Sequence, residues 1–144
     1  MKRQNCVDKK IKIKSNKTLE KGLQVLFKSQ QKFLQDLMVH RNDKLLITSK
    51  DGPTHSYWQL ALEHLLACLS NEVEELRDWS AWKSWKTYPQ NHNQANLQEM
   101  RYEAIDLLHF LINIFILLGL DHRLTSQLYL DKNRQNHRRQ QHGY

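Results

Sequence analysis

The 144-residue sequence has few of the residues that make tight turns, with only four glycines and two prolines. A β-rich fold needs many turns and would use more of both. Helix-favouring Leu, Lys, Gln and Glu are abundant instead. The length fits one domain with its own core. From this composition we expect an all-α fold, a helical bundle of about four principal helices.

Cysteine is also scarce. Cys6 and Cys68 are far apart in the sequence, so the chain has neither a disulfide framework nor the spacing of a zinc site. This usage fits a reducing compartment, and we predict a cytoplasmic location, which is the host cytoplasm if the source is viral. Cys68 lies in an apolar helical pattern and is predicted to be a buried, small hydrophobic residue.

No segment is predicted to cross a membrane. The N-terminus is charged and lacks the apolar core of a signal peptide. The most apolar run, Ala104–Leu120, has 17 residues and contains Asp106 and His109, whereas a membrane span needs about 20 residues with few charges or none. We predict that this run is a buried helix.

Apolar residues at helical spacing predict four helices, at about Leu19–His40, His55–Asp78, Leu97–Leu118 and Thr125–Gln135. A loop with the turn signal Asp51-Gly52-Pro53 is expected between the first two helices. A tryptophan-rich segment and then a polar loop follow the second helix. Gly119 is expected to end the third helix.

Two pairs of acidic residues carry the main chemical signal. Glu72 and Glu75 are three residues apart on the second predicted helix. Glu103 and Asp106 have the same spacing on the third. Residues at i and i+3 are neighbours on a helix surface, so each pair can direct two carboxylates to one point.

The surroundings of both pairs indicate that they face inward. Glu72 continues the apolar stripe of Leu65 and Leu69. The third helix is apolar nearly all round, and its polar residues fall within an arc of about 120°; they are Glu103, Asp106, His109 and Asn113. Four facing carboxylates would repel one another unless a cation neutralised them. Oxygen ligands select Mg²⁺, or Mn²⁺ as a substitute, so we predict a divalent metal site.

Phosphate groups on such a metal need further positive donors nearby. The last helix offers Lys132, Asn136 and Arg139 at i, i+4 and i+7, on one face. Lys83 and Lys86 are further candidates. Side chains that could hold a nucleotide base are Trp82, Trp85, His109 and Phe110.

Four motifs occur in order along the chain: Glu72-x-x-Glu75-Leu76, Trp82-Lys83-x-Trp85-Lys86, Glu103-x-x-Asp106-x-x-His109-Phe110 and Lys132-x-x-x-Asn136-x-x-Arg139-x-x-x-Gly143-Tyr144. Together they resemble the motifs of the all-α dimeric dUTPase family, which belongs to the MazG-like NTP pyrophosphatase superfamily. The resemblance extends from about Leu23 to the end of the sequence.

Within this family the chain looks most like the bacteriophage dCTP pyrophosphatases, which also act on dUTP. The likeness includes Gln31-Lys-Phe-Leu-Gln35 and His109-Phe-Leu-Ile-Asn113. Dimeric dUTPases typically have Gln-x-x-Leu-Asn in the first helix, whereas this chain has Gln35 in the position of the Asn. That difference favours cytosine, or both bases, over uracil alone.

The resemblance implies a homodimeric, Mg²⁺-dependent pyrophosphatase that converts dCTP, dUTP or both to the monophosphate and pyrophosphate. The implied metal ligands are Glu72, Glu75, Glu103 and Asp106, with Glu72 or Glu75 as the catalytic base. The implied base and sugar pocket consists of Gln31, Gln35, Trp85, His109 and Asn113. The implied phosphate-binding residues are Lys83, Lys132, Asn136, Arg139 and Tyr144.

Positive charge is concentrated at the N-terminus. Residues 1–17 carry seven Lys or Arg side chains and one Asp, which amounts to +6 of the net charge of +7. We predict a flexible basic tail over residues 1–17, a helical catalytic domain over residues 18–131 and a phosphate-binding segment over residues 132–144.

Other functions stay open at this point. A broader MazG-like pyrophosphatase would take several nucleotides, and a helical nucleic-acid-binding protein would use the basic tail. A helical interaction protein would keep the fold without catalysis. The nucleic-acid alternative leaves the four inward carboxylates unexplained, because without a metal they would repel phosphate.

Overall fold

The structure, a computed structural model, describes residues 16–41, 56–83, 85 and 96–142. These residues form four helices and no strand: α1 (Lys17–Arg41), α2 (Ser56–Trp79), α3 (Leu97–Leu117) and α4 (His122–His142). The prediction of an all-α fold with four principal helices is confirmed. Most of the predicted basic tail, Cys6 and the predicted loops before α2 and α3 lie outside the described residues.

Polar side chains cap three of the helices. Asn16, Asn96 and Asp121 precede α1, α3 and α4, respectively. Each side-chain oxygen accepts hydrogen bonds from backbone N–H groups two or three residues further on, at 2.8–3.3 Å. These N–H groups have no partner within the helix, so the caps fix where each helix begins.

The core lies between α2 and α3, which pack along each other. Its main cluster consists of Ala61 and Leu65 from α2 and Ile114 and Leu117 from α3; Phe27, Leu34 and Ile112 are also buried. The indole N–H of Trp58 donates to the backbone carbonyl of Leu117 at 3.1 Å, which pairs a carbonyl that has no partner within the last turn of α3. This packing holds the two helices that carry the acidic pairs side by side.

The first and last helices complete the bundle. α1 packs against α4 and, over a smaller area, against α3. Phe27 of α1 stacks on Phe115 of α3, with ring centroids 6.5 Å apart. α1 therefore covers one side of α3, while α2 covers another.

A short turn separates α3 from α4. Gly119 has a φ of 73°, a left-handed conformation that glycine adopts without steric strain. The N–H of Leu120 donates to the carbonyl of Phe115 at 2.8 Å and closes the end of α3. Among the described helices, none alone is long and apolar enough to cross a membrane; α3 and α4 meet that criterion only together, bent by 104° at this turn.

Two expectations differ from the structure. α3 is not buried all round, since Ile105 and Leu118 are each 49% exposed and the other helices of one chain cover only part of its surface. α4 continues to His142 rather than ending near Gln135. Residues 136–142 contain no Pro or Gly to stop a helix, so the predicted domain boundary after residue 131 falls inside a continuous helix.

Candidate functional site

Three carboxylates from two helices converge where α2 packs against α3. Glu72 of α2 and Glu103 and Asp106 of α3 each place one ligand oxygen within 4.8 Å of the other two. All three side chains belong to half-buried residues. The spacing of three residues on α3 puts Glu103 and Asp106 on the same face, and the packing of the core brings Glu72 opposite them. We call these three residues the carboxylate cluster.

Glu75, the fourth predicted ligand, lies outside the carboxylate cluster. Its side chain is exposed and accepts a hydrogen bond from the amide of Asn71, one turn earlier on α2. It follows Glu72 at i+3 and is therefore the neighbouring charge on the same face. The structure thus brings together three of the four predicted acids and leaves the fourth beside them.

The electrostatics of the cluster favour a bound cation. Burial raises the pKa of Glu72 above its ordinary value of 4.5, and the negative charges of Glu75, Asp106 and Glu103 raise it further. The folded chain therefore disfavours the ionised form of Glu72. A divalent cation would remove both causes of the raised pKa, because it would replace the lost hydration of the Glu72 carboxylate and cancel the repulsion from the neighbouring carboxylates. The donor set consequently fits a divalent metal that prefers oxygen ligands.

One of these carboxylates is held by a tryptophan. The indole N–H of Trp79, the last residue of α2, donates to Glu103 Oε1 at 3.3 Å. Groups that orient metal ligands in this way influence metal affinity as well as geometry. The sequence predicts only a tryptophan-rich segment after the second helix. It does not predict this contact, because no periodic pattern links the end of α2 to the start of α3.

A cavity of about 400 Å³ lies beside the carboxylate cluster. This volume is typical of sites that hold a small ligand. Glu72 and Asp106 belong both to the cluster and to the cavity wall. The rest of the wall combines leucine, polar and aromatic side chains from three helices, among them Gln30, Phe33, His64, His109, Phe110 and Asn113.

Two of the five predicted base-pocket residues line this cavity. His109 Nδ1 lies 3.5 Å from Asp106 Oδ1, one helical turn away. Asn113 is buried, and its Oδ1 accepts a hydrogen bond from Gln30 Nε2 at 2.9 Å. The polar stripe of α3 therefore runs from the carboxylate cluster along the cavity wall.

The other three predicted base-pocket residues lie elsewhere. Gln31 and Gln35 are exposed on α1 and are not in the cavity wall. Trp85 is 76% exposed and makes an edge-to-face contact with Trp82, with ring centroids 5.8 Å apart. Within a single chain, the structure does not bring these three side chains to the cavity, and their roles remain predictions.

The four predicted phosphate-binding residues that the structure describes are also outside the cavity wall. Lys132, Asn136 and Arg139 are exposed on α4. The Lys83 ammonium lies 5.1 Å from the centroid of the Trp82 ring, close enough for a cation–π interaction. Tyr144 lies outside the described residues. Their roles likewise remain predictions.

Sequence reasoning missed three polar residues of the cavity wall, which are Gln30, His64 and Cys68. Cys68 is half-buried, with Sγ 3.7 Å from His64 Nε2, so the prediction of a buried hydrophobic residue there is wrong. Positions 64, 68 and 72 follow at intervals of four and share one helix face. This spacing indicates that His64 and Cys68 face the same way as Glu72, which the sequence predicts to face inward.

The fold and the site together define a helical domain whose carboxylate cluster could bind a metal and whose adjacent cavity has room for a small ligand. A family comparison supplies the identity of this domain: the sequence profile of the dUTPase family matches residues 1–125. The chain therefore belongs to the dUTPase family.

A short segment of the chain is also similar to a protein of known name. A segment of 46 residues is 39% identical to dCTP pyrophosphatase of Enterobacteria phage T4. The segment covers 32% of this chain and 27% of that protein, so the chain matches under a third of the relative's length. No solved structure matches the chain.

Proposed function

We propose that the chain is a nucleoside triphosphate pyrophosphatase that hydrolyses dCTP, dUTP or both to the monophosphate and pyrophosphate. The main support is the shared position of Glu72 and Asp106, which belong to both the carboxylate cluster and the cavity wall. A ligand in the cavity would therefore contact a metal held by the cluster. Membership in the dUTPase family and the partial likeness to a phage dCTP pyrophosphatase favour a pyrimidine triphosphate as that ligand.

Mg²⁺ is the proposed cofactor, with Mn²⁺ as a substitute. Glu72, Glu103 and Asp106 are its proposed ligands, since their oxygens already lie within 4.8 Å of one another. When bound, the dication neutralises charge on the phosphates and lowers the pKa of a coordinated water. Hydrogen bonding from Trp79 keeps Glu103 turned towards the cluster.

A carboxylate is proposed to take the proton of the attacking water. Water adds to phosphorus, the bond between the α- and β-phosphate groups breaks, and pyrophosphate leaves. Glu75 is better placed than Glu72 to accept the proton, because Glu72 belongs to the carboxylate cluster and Glu75 does not. The hydrogen bond from Asn71 holds the Glu75 carboxylate in place.

The cavity wall is proposed to receive the base and sugar. Phe33 and Phe110 offer aromatic faces for stacking. His109 and Asn113 supply hydrogen-bonding groups from the polar stripe of α3. The base would then lie beyond Asp106, with the phosphates at the carboxylate cluster.

A homodimer is proposed to complete the site. Large apolar side chains are exposed on all four helices, including Val25 (67%), Leu60 (53%), Ile105 (49%) and Tyr129 (62%). These side chains offer apolar surface that a second copy of the chain could cover. A second copy covering these faces would also supply Gln31, Gln35 and the cations of α4 to its partner's cavity.

Pyrophosphate release from dCTP, dUTP, dTTP, dATP and dGTP, each with Mg²⁺ and with EDTA, tests the proposal. We expect metal-dependent release from dCTP, dUTP or both. Glu103→Gln should abolish it, whereas Glu74→Gln should not, because Glu74 forms a surface pair with Arg77 at 2.8 Å and such pairs contribute little. Release that persists in EDTA, or no release from any nucleotide, would contradict the proposal.

A further inference from the structure

Gln30 and Asn113 form a hydrogen-bonded pair of amides in the cavity wall, joining α1 to α3. Gln30 is 5% exposed and Asn113 is 8% exposed, and the two side chains meet at 2.9 Å. Both residues line the cavity beside the carboxylate cluster. We call these two residues the amide pair.

The hydrogen bond between the two amides uses one of the two polar atoms of each amide group. Gln30 donates through Nε2 and Asn113 accepts through Oδ1, which leaves Gln30 Oε1 as an acceptor and Asn113 Nδ2 as a donor. If both amides turn over, Asn113 donates to Gln30, and the remaining groups become a Gln30 donor and an Asn113 acceptor. In either arrangement the pair offers the cavity one donor and one acceptor, and turning over exchanges their positions.

The two pyrimidine bases differ by the same exchange. Cytosine presents a donor at its 4-amino group beside an acceptor at N3, whereas uracil presents an acceptor at O4 beside a donor at N3. Whichever amide faces position 4 of the ring, one arrangement of the pair fits cytosine and the other fits uracil. Neither arrangement leaves the hydrogen bond between the amides unmade.

We propose that Gln30 and Asn113 act as one reversible hydrogen-bonding unit that lets this site accept both cytosine and uracil nucleotides. The proposal rests on the proposed pyrophosphatase function and makes Gln30, rather than the motif residue Gln31, the partner that decides base selection. Each orientation is stabilised by the same internal hydrogen bond, so switching between bases carries little cost.

Two isosteric substitutions test the exchange, because a carboxylate only accepts hydrogen bonds. In Gln30→Glu and in Asn113→Asp, assayed at alkaline pH to keep the new carboxyl ionised, the pair can offer only acceptors to the base. Acceptors suit the amino group of cytosine but repel its N3, and they suit the N3–H of uracil but repel its O4, so each base keeps one favourable contact and loses the other. We expect kcat/KM to fall by about tenfold or more for dCTP and for dUTP in both variants.

Gln98→Glu is the matched control, since it adds the same charge at an exposed position of α3 outside the cavity wall; its kcat/KM for each nucleotide should equal that of the wild type. Circular dichroism melting of each variant verifies folding, and one folded variant of the two suffices for the test.

The outcomes separate the two proposals. If the wild type hydrolyses neither nucleotide, the proposed function fails. If the wild type hydrolyses both but neither variant lowers kcat/KM, or if it hydrolyses only one of them, the proposed role of the amide pair is wrong and the pyrophosphatase function is unaffected. A loss of kcat/KM in Gln31→Glu but not in Gln30→Glu would also contradict the proposal and would assign base selection to the motif residue Gln31.

Discussion

Trp79 Nε1 donates a hydrogen bond to Glu103 Oε1 at 3.3 Å, joining the last residue of α2 to a carboxylate near the start of α3. The two residues are 24 positions apart, and the chain between them includes the predicted polar loop. This contact therefore links the ends of the two helices at the place where the carboxylate cluster forms.

Loss of this hydrogen bond is expected to weaken metal binding. Trp79→Phe keeps an aromatic ring but removes the donor, so Glu103 can turn away from the cluster. Mn²⁺ affinity, measured by isothermal titration calorimetry, should fall by about tenfold.

Trp58→Phe provides the comparison, because Trp58 donates to the carbonyl of Leu117 in the core rather than to a carboxylate. That variant should lose about 1 kcal/mol of stability and keep wild-type Mn²⁺ affinity. Equal Mn²⁺ affinity in Trp79→Phe and the wild type would contradict the role assigned to Trp79.

Removal of one cluster charge should have opposite effects with and without metal. In EDTA, Glu103→Gln relieves repulsion among the carboxylates while its Oε1 still accepts from Trp79, so the melting temperature should rise by a few degrees. With Mg²⁺, the wild type should gain stability and the variant should not. Thermal melts by circular dichroism measure both, and a variant that gains as much from Mg²⁺ as the wild type would exclude Glu103 as a ligand.

The helices were predictable from sequence because their signals are local. Apolar spacing and Gly119 act within a few residues, and they placed α3 to within a residue of its observed end. The inward face of Glu72 and the polar stripe of α3 followed from the same periodicity. The same periodicity therefore predicted that Asp106, His109 and Asn113 share the face of α3 that lines the cavity.

Contacts between distant helices were not predictable in this way. The rotation of α1 about its axis decides that Gln30, rather than Gln31, lies against Asn113, and adjacent residues differ by about 100° in direction. The family motif implies Gln31 as a base-pocket residue but does not specify how α1 is rotated about its axis. Phe27 and Leu34, which are buried and flank Gln30 at i−3 and i+4, were the signal that could have fixed it.

The raised pKa of Glu72 predicts how the stability of the metal-free chain depends on pH. The folded state holds the Glu72 proton more tightly than the unfolded state does. The resulting stabilisation is fully present below the ordinary pKa of 4.5 and is lost as pH rises through the raised value. Glu72→Gln has no carboxyl group at this position, so its stability does not fall with rising pH for this reason.

We therefore expect Glu72→Gln and the wild type to melt alike in EDTA below pH 4.5, and the variant to melt higher near neutral pH. Parallel melts at acidic and neutral pH check this. A constant difference between the two proteins across that range would show that Glu72 has no shifted pKa. Glu74→Gln, at an exposed position on the same helix, should follow the wild type.

The C-terminal cations give the last prediction. Arg139→Gln removes a charged donor proposed to hold phosphate, and KM for the triphosphate should rise by about tenfold. Arg134→Gln is the matched control on the same helix, since Arg134 pairs with Asp131 at 3.4 Å and should keep its KM. An unchanged KM in Arg139→Gln would remove Arg139 from the site.

A mixing experiment then decides whose cavity Arg139 serves. Arg139 lies outside the cavity wall of its own chain, so we expect it to act in the partner's cavity of a homodimer. Mixing the Glu103→Gln and Arg139→Gln proteins at low substrate should then restore about a quarter of wild-type activity, because half of randomly mixed dimers are hybrids and each hybrid has one intact site. If Arg139 served its own chain's cavity, no hybrid would contain an intact site, and mixing would restore nothing.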